Sequence, residues 1–238
     1  MKKENIIICI TASIILISII SIIIVKNLNK EDTNQNDSLK FKEEYESLNN
    51  TKIGSSDNTY SQLTIAEDNP MIYTDAKKAQ DVLNSDKAII YVGAAWCPWC
   101  RKAVPIMLDV AKKLKIDTIY YLNLDNEKSK FEIKDNELIT TQKGTDDYYK
   151  LLDALEEYLE DYKLTDTSTG KEYDTKEKRI YMPYIITIKD GKIVDAKTTT
   201  IKTDDVEEEK QELNKMYSEM LSKIYPSSNV CTSENHCN

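Results

Sequence analysis

The chain has 238 residues, 31% of them charged, with 41 Asp and Glu against 32 Lys and Arg and a net charge of −9. That length holds one globular domain plus extra segments, and the acidic balance leaves no basic excess to neutralise phosphates, which argues against nucleic acid as a partner. There is no Gly-rich phosphate loop and no internal repeat, and the one histidine, His236, lies in the tail, so no metal site or buried Cys-His pair is expected.

Residues 6–25 form an almost unbroken run of Ile, Leu and Val, preceded by Lys2 and Lys3. About 20 helical residues span roughly 30 Å, so residues 1–26 are predicted to be an N-terminal transmembrane helix, a long signal peptide being the alternative. No small-x-small pattern ends the run, which favours an uncleaved anchor, and Lys2 and Lys3 orient the remainder outside the cytoplasm. Cys9, inside the run, reads as a small hydrophobe. Residues 27–69 are rich in Asn, Ser, Asp, Lys and Glu. Apolar residues are sparse there, so a flexible linker is expected, with room for a short helix around Leu39 to Leu48.

From residue 70 the pattern tightens. Thr74 is placed to cap a helix burying Ala76, Ala79, Val82 and Leu83, followed by a strand from Ala88 to Val92. Trp96-Cys97-Pro98-Trp99-Cys100 then opens a helical pattern ending near Leu114, with Pro105 expected to kink it. A strand from Ile116 to Leu124 completes a βαβ unit. Two thiols two residues apart, where a strand turns into a helix, are placed to make and break a disulfide. The helix N-terminus favours the thiolate at Cys97, the expected nucleophile, and Cys100 lies one turn further in, where it can resolve a mixed disulfide.

Residues 126–179 are too long for an ordinary connection and must carry structure of their own. A helix starting at Asp146 and Asp147 would place Tyr148, Leu151, Leu152, Leu155, Tyr158, Leu159 and Tyr162 on one face, and Lys163 to Lys178 reads as a loop. Tyr184 to Ile188, Asp190-Gly191 and Ile193 to Lys197 predict a hairpin, since Asp-Gly suits a turn with positive φ. A last helix runs from about Asp204, with Glu207 completing a capping box, to Ile224, and Pro226 follows. Cys231 and Cys237, in the polar tail 227–238, suggest a structural disulfide formed outside the cell or, alternatively, a second dithiol exchanging electrons with Cys97.

More than the four-residue motif is familiar. Trp96 precedes the first cysteine, Pro105 follows the second by five residues, Met182-Pro183 leads into an apolar strand with Lys189 and Asp190-Gly191, and Asn123-Leu124-Asp125 ends the preceding strand. Over roughly residues 70–125 and 180–224 the chain resembles the thioredoxin superfamily. The resemblance implies an α/β thioredoxin-like fold over 70–226, with a partly helical insertion at 126–179. It implies a thiol-disulfide oxidoreductase whose only redox group is the Cys97–Cys100 pair. It also implies a cis-proline at Pro183 facing that pair, with the Met182 backbone pairing to substrate, and a substrate surface formed by Trp96, Pro98 and Trp99.

One departure bears on chemistry. The family buries a carboxylate six positions before the first cysteine and a lysine on the next strand. The aligned positions here are Tyr91 and Tyr121, either plain core packing or hydroxyl donors. A phenol is no base at neutral pH, so the Cys100 proton must leave by water, another acid or a slower route. Arg101 could supply part of the positive charge favouring a thiolate. Exported proteins or peptides are the expected substrates, with a membrane redox partner. Anchored members with long insertions also resemble bacteriocin-transport accessory proteins, which leaves a non-enzymatic binding module as the alternative.

Overall fold

The computed structural model describes residues 34–226. The expected membrane helix with Cys9, and the tail with Cys231 and Cys237, lie outside the described residues. Among the described residues, no helix is long and apolar enough to cross a membrane. In chain order the elements are α1 (34–46), β1 (Met71–Thr74), α2 (Ala76–Leu83), β2 (Lys87–Val92), α3 (Pro98–Lys113), β3 (Ile119–Leu122), β4 (Lys130–Lys134) and β5 (Glu137–Gln142). There follow α4 (Asp146–Ala154), a 3-10 turn (Glu156–Tyr158), β6 (Glu160–Thr165), β7 (Glu172–Arg179), β8 (Tyr184–Lys189), β9 (Lys192–Thr198) and α5 (Val206–Ser222).

Five strands form the central sheet in the order β1-β3-β2-β8-β9, the first three parallel and β8 and β9 antiparallel. The middle strand β2 is buried from Ala88 to Val92, as a strand covered on both faces must be. Its side chains alternate between two cores. Ile89 and Tyr91 join residues of α1, α3 and α5 on one face, whereas Ala88, Ile90 and Val92 join α2 and α4 on the other. Asp190 and Gly191 both have positive φ, 53° and 67°, as the hairpin turn requires.

Several boundaries differ from the sequence expectation. Thr74 is the last residue of β1, a four-residue edge strand, and Asp75 caps α2 by accepting from the Lys78 N–H. Asp205, not Asp204, caps α5, accepting from the N–H groups of Glu207 and Glu208. The α3 helix continues through Pro105.

The larger correction concerns residues 34–69, which pack against the domain instead of forming a flexible linker. Phe41 and Tyr45, one helical turn apart on α1, are both 0% exposed, and Tyr60, Leu63 and Ile65 are buried further on. The Phe41 ring centroid lies 4.5 Å from that of Tyr45 and 4.8 Å from that of Tyr121. Polar bonds fix the irregular stretch that follows. Asn49 bonds both backbone groups of Leu63, at 2.9 and 3.1 Å, and Glu46 accepts from the Ile65 N–H at 2.8 Å. The buried apolar residues are few but large, so average composition hides them.

The insertion is also corrected. Its helix stops at Ala154, and Tyr162 and the expected loop at 163–178 belong to a hairpin of β6 and β7; a second hairpin, β4–β5, precedes α4. The apolar period outlasts the helix because Leu155 and Leu159, beyond its end, still pack into the same core as Leu151 and Leu152.

Candidate active site

After β2 the chain turns through Gly93 to Trp96, and Cys97 sits at the N-cap of α3 with extended backbone and Pro98 in the first helical position. Proline suits that position because its missing N–H is not needed there. The Cys97 Sγ accepts from the Cys100 N–H at 3.4 Å. Both cysteines are free thiols, Cys97 6% exposed and Cys100 fully enclosed.

Their surroundings separate them chemically. Hydrogen bonding from the Cys100 thiol lowers Cys97 from 9.0 to about 7; burial opposes this, while the N–H groups of Cys100 and Trp99 and the charge of Lys128 assist. Cys100 is pushed far up, first by burial and then by its role as donor to Cys97, with a hydrogen bond from Tyr91 acting the other way. The first proton therefore leaves from Cys97.

The Met182–Pro183 peptide bond is cis, and the Met182 carbonyl oxygen lies 4.0 Å from the Cys97 Sγ. The Pro183 carbonyl is turned away and accepts from the Thr199 N–H at 2.8 Å. The expected pair is thus brought to the thiols from the start of β8. Trp96 and Trp99 flank the thiols and are 46% and 38% exposed. Trp96 donates its indole N–H to the Asp125 carboxylate, which Lys128 Nζ also meets at 2.6 Å while lying 5.3 Å from the Trp96 ring centre. Burial would raise the Asp125 carboxyl, but these two hydrogen bonds hold it below its usual range. Trp99 borders a cleft of about 530 Å³ lined also by Tyr158, Arg179, Tyr181 and Met182.

Lys128, Tyr158 and Arg179 come from the insertion and were not foreseen, since no family motif reaches them. Arg101, expected to favour the thiolate, has another task. It is 2% exposed and its guanidinium donates to the Tyr45 carbonyl at 2.6 Å, Asn49 Oδ1 at 2.6 Å and the Ser61 carbonyl at 2.8 Å. It ties the 34–69 segment to α3, and Lys128 supplies the favourable charge at Cys97 instead.

Tyr91 and Tyr121 are both 0% exposed, with ring centres 6.0 Å apart. They fill the core as packing requires, and their hydroxyls are engaged as well. Tyr91 Oη lies 3.4 Å from Tyr45 Oη, and Tyr121 donates to Glu44 at 2.8 Å. A Cβ on Gly93 would stand 2.5 Å from the Tyr91 hydroxyl, so the absent side chain at 93 leaves that ring its place. Among the described residues, no group of three or more His, Cys, Asp or Glu is arranged to hold a metal ion.

No family model matches the chain, and no curated protein matches it. Solved structures do. A thioredoxin from Trypanosoma brucei brucei is 11% identical over 60% of this chain and 89% of its own, with a TM-score of 0.30. Oxidised thioredoxin from Plasmodium falciparum is 12% identical over 59% and 90%, at 0.28. Oxidised thioredoxin O2 from Arabidopsis thaliana is 16% identical over 63% and 96%, at 0.31. Overlaps of that size are slight beside what the chain itself displays. A β1-β3-β2-β8-β9 sheet between two helical layers, with a dithiol opening the helix after its central strand, is a thioredoxin-like fold.

Proposed function

We propose that the protein is a membrane-anchored thiol-disulfide oxidoreductase acting outside the cytoplasm on exported proteins or peptides. The observation that carries the redox part is the division of labour at the start of α3. One thiol caps the helix and is held near pKa 7, and a second lies buried one turn inside, in contact with the first. The Cys97 thiolate attacks one sulfur of a substrate disulfide. A Cys97–substrate bond forms and the other substrate sulfur leaves as a thiol, taking a proton from solvent. Cys100 then loses its proton and attacks the Cys97 sulfur, releasing the second substrate sulfur. The protein pair is oxidised by two electrons and the substrate reduced by two; the reverse sequence oxidises a dithiol. A membrane redox partner resets the pair.

Trp99, Tyr181 and the Met182 backbone line a cleft that suits an extended peptide: aromatic faces give apolar area, and a peptide strand can pair with exposed main chain. Trp96 and Pro98 complete the surface around Cys97. The apolar run at 6–25, with Lys2 and Lys3 before it, supports the anchor and its orientation. In that oxidising setting Cys231 and Cys237 form a structural disulfide.

Replacing Cys100 by Ser removes the resolving thiol and leaves the nucleophile. The Cys100→Ser chain, expressed in its own cell and analysed without reductant, is expected to carry exported proteins in mixed disulfides through Cys97. Their absence, together with retained function in a Cys97→Ser/Cys100→Ser chain, would instead identify a binding or transport-accessory module.

A further inference from the structure

The cleft beside Trp99 carries a charge opposite to that of the chain as a whole. Met182 ties it to the reacting sulfur, since the same residue lines the cleft and holds its carbonyl oxygen 4.0 Å from the Cys97 Sγ. Of the charged side chains along the walls, Arg179, Lys197 and Lys202 are cationic and only Glu160 is anionic. The chain itself has a net charge of −9. A positive cleft on an acidic protein concentrates attraction for anions at that one place.

The nearby cations differ in how they are held. Lys102, 4.9 Å from the Trp99 ring centre, is neutralised by the buried Glu209 carboxylate at 2.9 Å. Lys197 lies 3.8 Å from Asp195, a carboxylate that Lys223 already meets at 2.6 Å. Arg179 and Lys202 enter no ion pair among the described residues. Arg179 is nonetheless fixed in place. It donates to the carbonyl of the fully enclosed Ser129 at 3.1 Å, and its guanidinium lies 4.5 Å from the ring centre of Tyr162, which in turn packs edge-on against Tyr181. Glu160 stands opposite Arg179 in the β6–β7 register, yet no ion pair joins their side chains. A carbonyl and an aromatic face thus hold the guanidinium at the cleft without cancelling its charge.

We infer that this cleft receives an acidic segment of the substrate polypeptide, an Asp or Glu close in sequence to the reacting cysteine, whose carboxylate pairs with Arg179. The inference rests on the oxidoreductase reading above and names the substrate class that reading leaves open. Because Met182 belongs both to the cleft and to the surroundings of Cys97, the occupant is part of the molecule being attacked. Pairing with the Met182 backbone is open to any polypeptide, so discrimination falls to the side chains that enter the cleft. The planar fork of N–H donors on Arg179 suits a carboxylate, and Lys197 from β9 and Lys202 just beyond it add attraction from a second element. Glu160 works against them, its charge repelling the same carboxylate.

Peptides carrying one cysteine as a mixed disulfide with thionitrobenzoate test this, because Cys97 attack on the peptide sulfur releases coloured thionitrobenzoate. Two Asp, two Asn or two Lys flank the cysteine in otherwise identical peptides. Rates with the reduced full chain in detergent, with Cys9, Cys231 and Cys237 replaced by Ser, are divided by rates with mercaptoethanol, which removes the peptides' own reactivity. The Asp peptide is expected to react ~5-fold faster than the Asn peptide, the upper end for one exposed ion pair, and the Lys peptide more slowly than both. The preference should fade in 1 M salt, where charges are screened beyond about 3 Å. Arg179→Gln should cut the Asp-to-Asn ratio to below about 2-fold, Arg179→Lys should keep part of it, and Glu160→Gln should raise it. Opposite movements in the two Gln variants are a signature that loss of packing does not produce. A ratio of one in the unsubstituted cleft, or a ratio unmoved in both Gln variants, would overturn the acidic-substrate assignment while leaving the exchange chemistry standing. No release from any of the peptides would overturn both.

Discussion

Residues 34–69 and residues 126–179 both lie beyond the sheet and helices that carry the dithiol, yet they approach it from opposite sides and by different physics. The first segment sends a few large side chains inward. It delivers the rings of Phe41 and Tyr45 to the core beside Cys100, and its chain is held by Arg101 and Asn49. The second packs α4 into the core on the other face of the sheet and keeps its hairpins largely at the surface. Its β4–β5 hairpin alternates between exposed and half-buried residues, and its contribution to the site is the charge of Lys128 and the rim residues Tyr158 and Arg179. One addition therefore sets the interior environment of the resolving thiol, and the other tunes the outer thiol and what meets it. A domain can modify the two halves of a dithiol separately because one faces the core and the other the solvent.

Stability should break this comparison most visibly. Phe41→Ala is expected to cost about 3–5 kcal/mol, as loss of a buried aromatic does, whereas Ile139→Ala on the β4–β5 hairpin should stay within about 0.5 kcal/mol. Urea unfolding of the two variants checks this, and equal costs would mean that residues 34–69 are no more integral than the hairpin. Arg101→Met should cost about 2–3 kcal/mol, because it leaves the enclosed Tyr45 carbonyl without its donor and releases Asn49 and Ser61. The smallest change belongs to the insertion. Iodoacetamide should alkylate Cys97 with a midpoint near pH 7, rising with pH as the thiolate forms. Lys128→Ala removes a positive charge that favours the thiolate, so the midpoint should move upward and alkylation at pH 7 should slow, with unfolding little altered. A downward shift would assign the effect to another group.

What the sequence displayed most clearly was local and repetitive. Apolar β2, the Cys97–Cys100 spacing at the start of α3 and the Asp190-Gly191 turn each leave a short, strong pattern, and the structure puts all three where they were expected. β1 was missed because four edge residues are too few to show a period. The 34–69 segment was misread because its burial rests on a few large side chains among many polar ones. Lys130 to Lys134 does alternate, with Phe131 and Ile133 against charged neighbours, and Asp135-Asn136 follows with φ of 53° and 63°. That hairpin was legible in retrospect. Glu44 and Lys128 were not, since a single charged residue carries no sign of what it will meet across the fold.

The packing of α1 also fixes how far the domain can travel. With residues 6–25 as the proposed anchor, a linker over 27–69 would have allowed a reach of roughly 150 Å at full extension. Because residue 34 already belongs to α1 and the folded body, at most residues 26–33 are left to connect it to the anchor. The greatest possible contour of that stretch is about 28 Å. On the proposed anchoring, the folded body starts no further than that from the lipid, so the domain works beside the bilayer rather than at the end of a long tether.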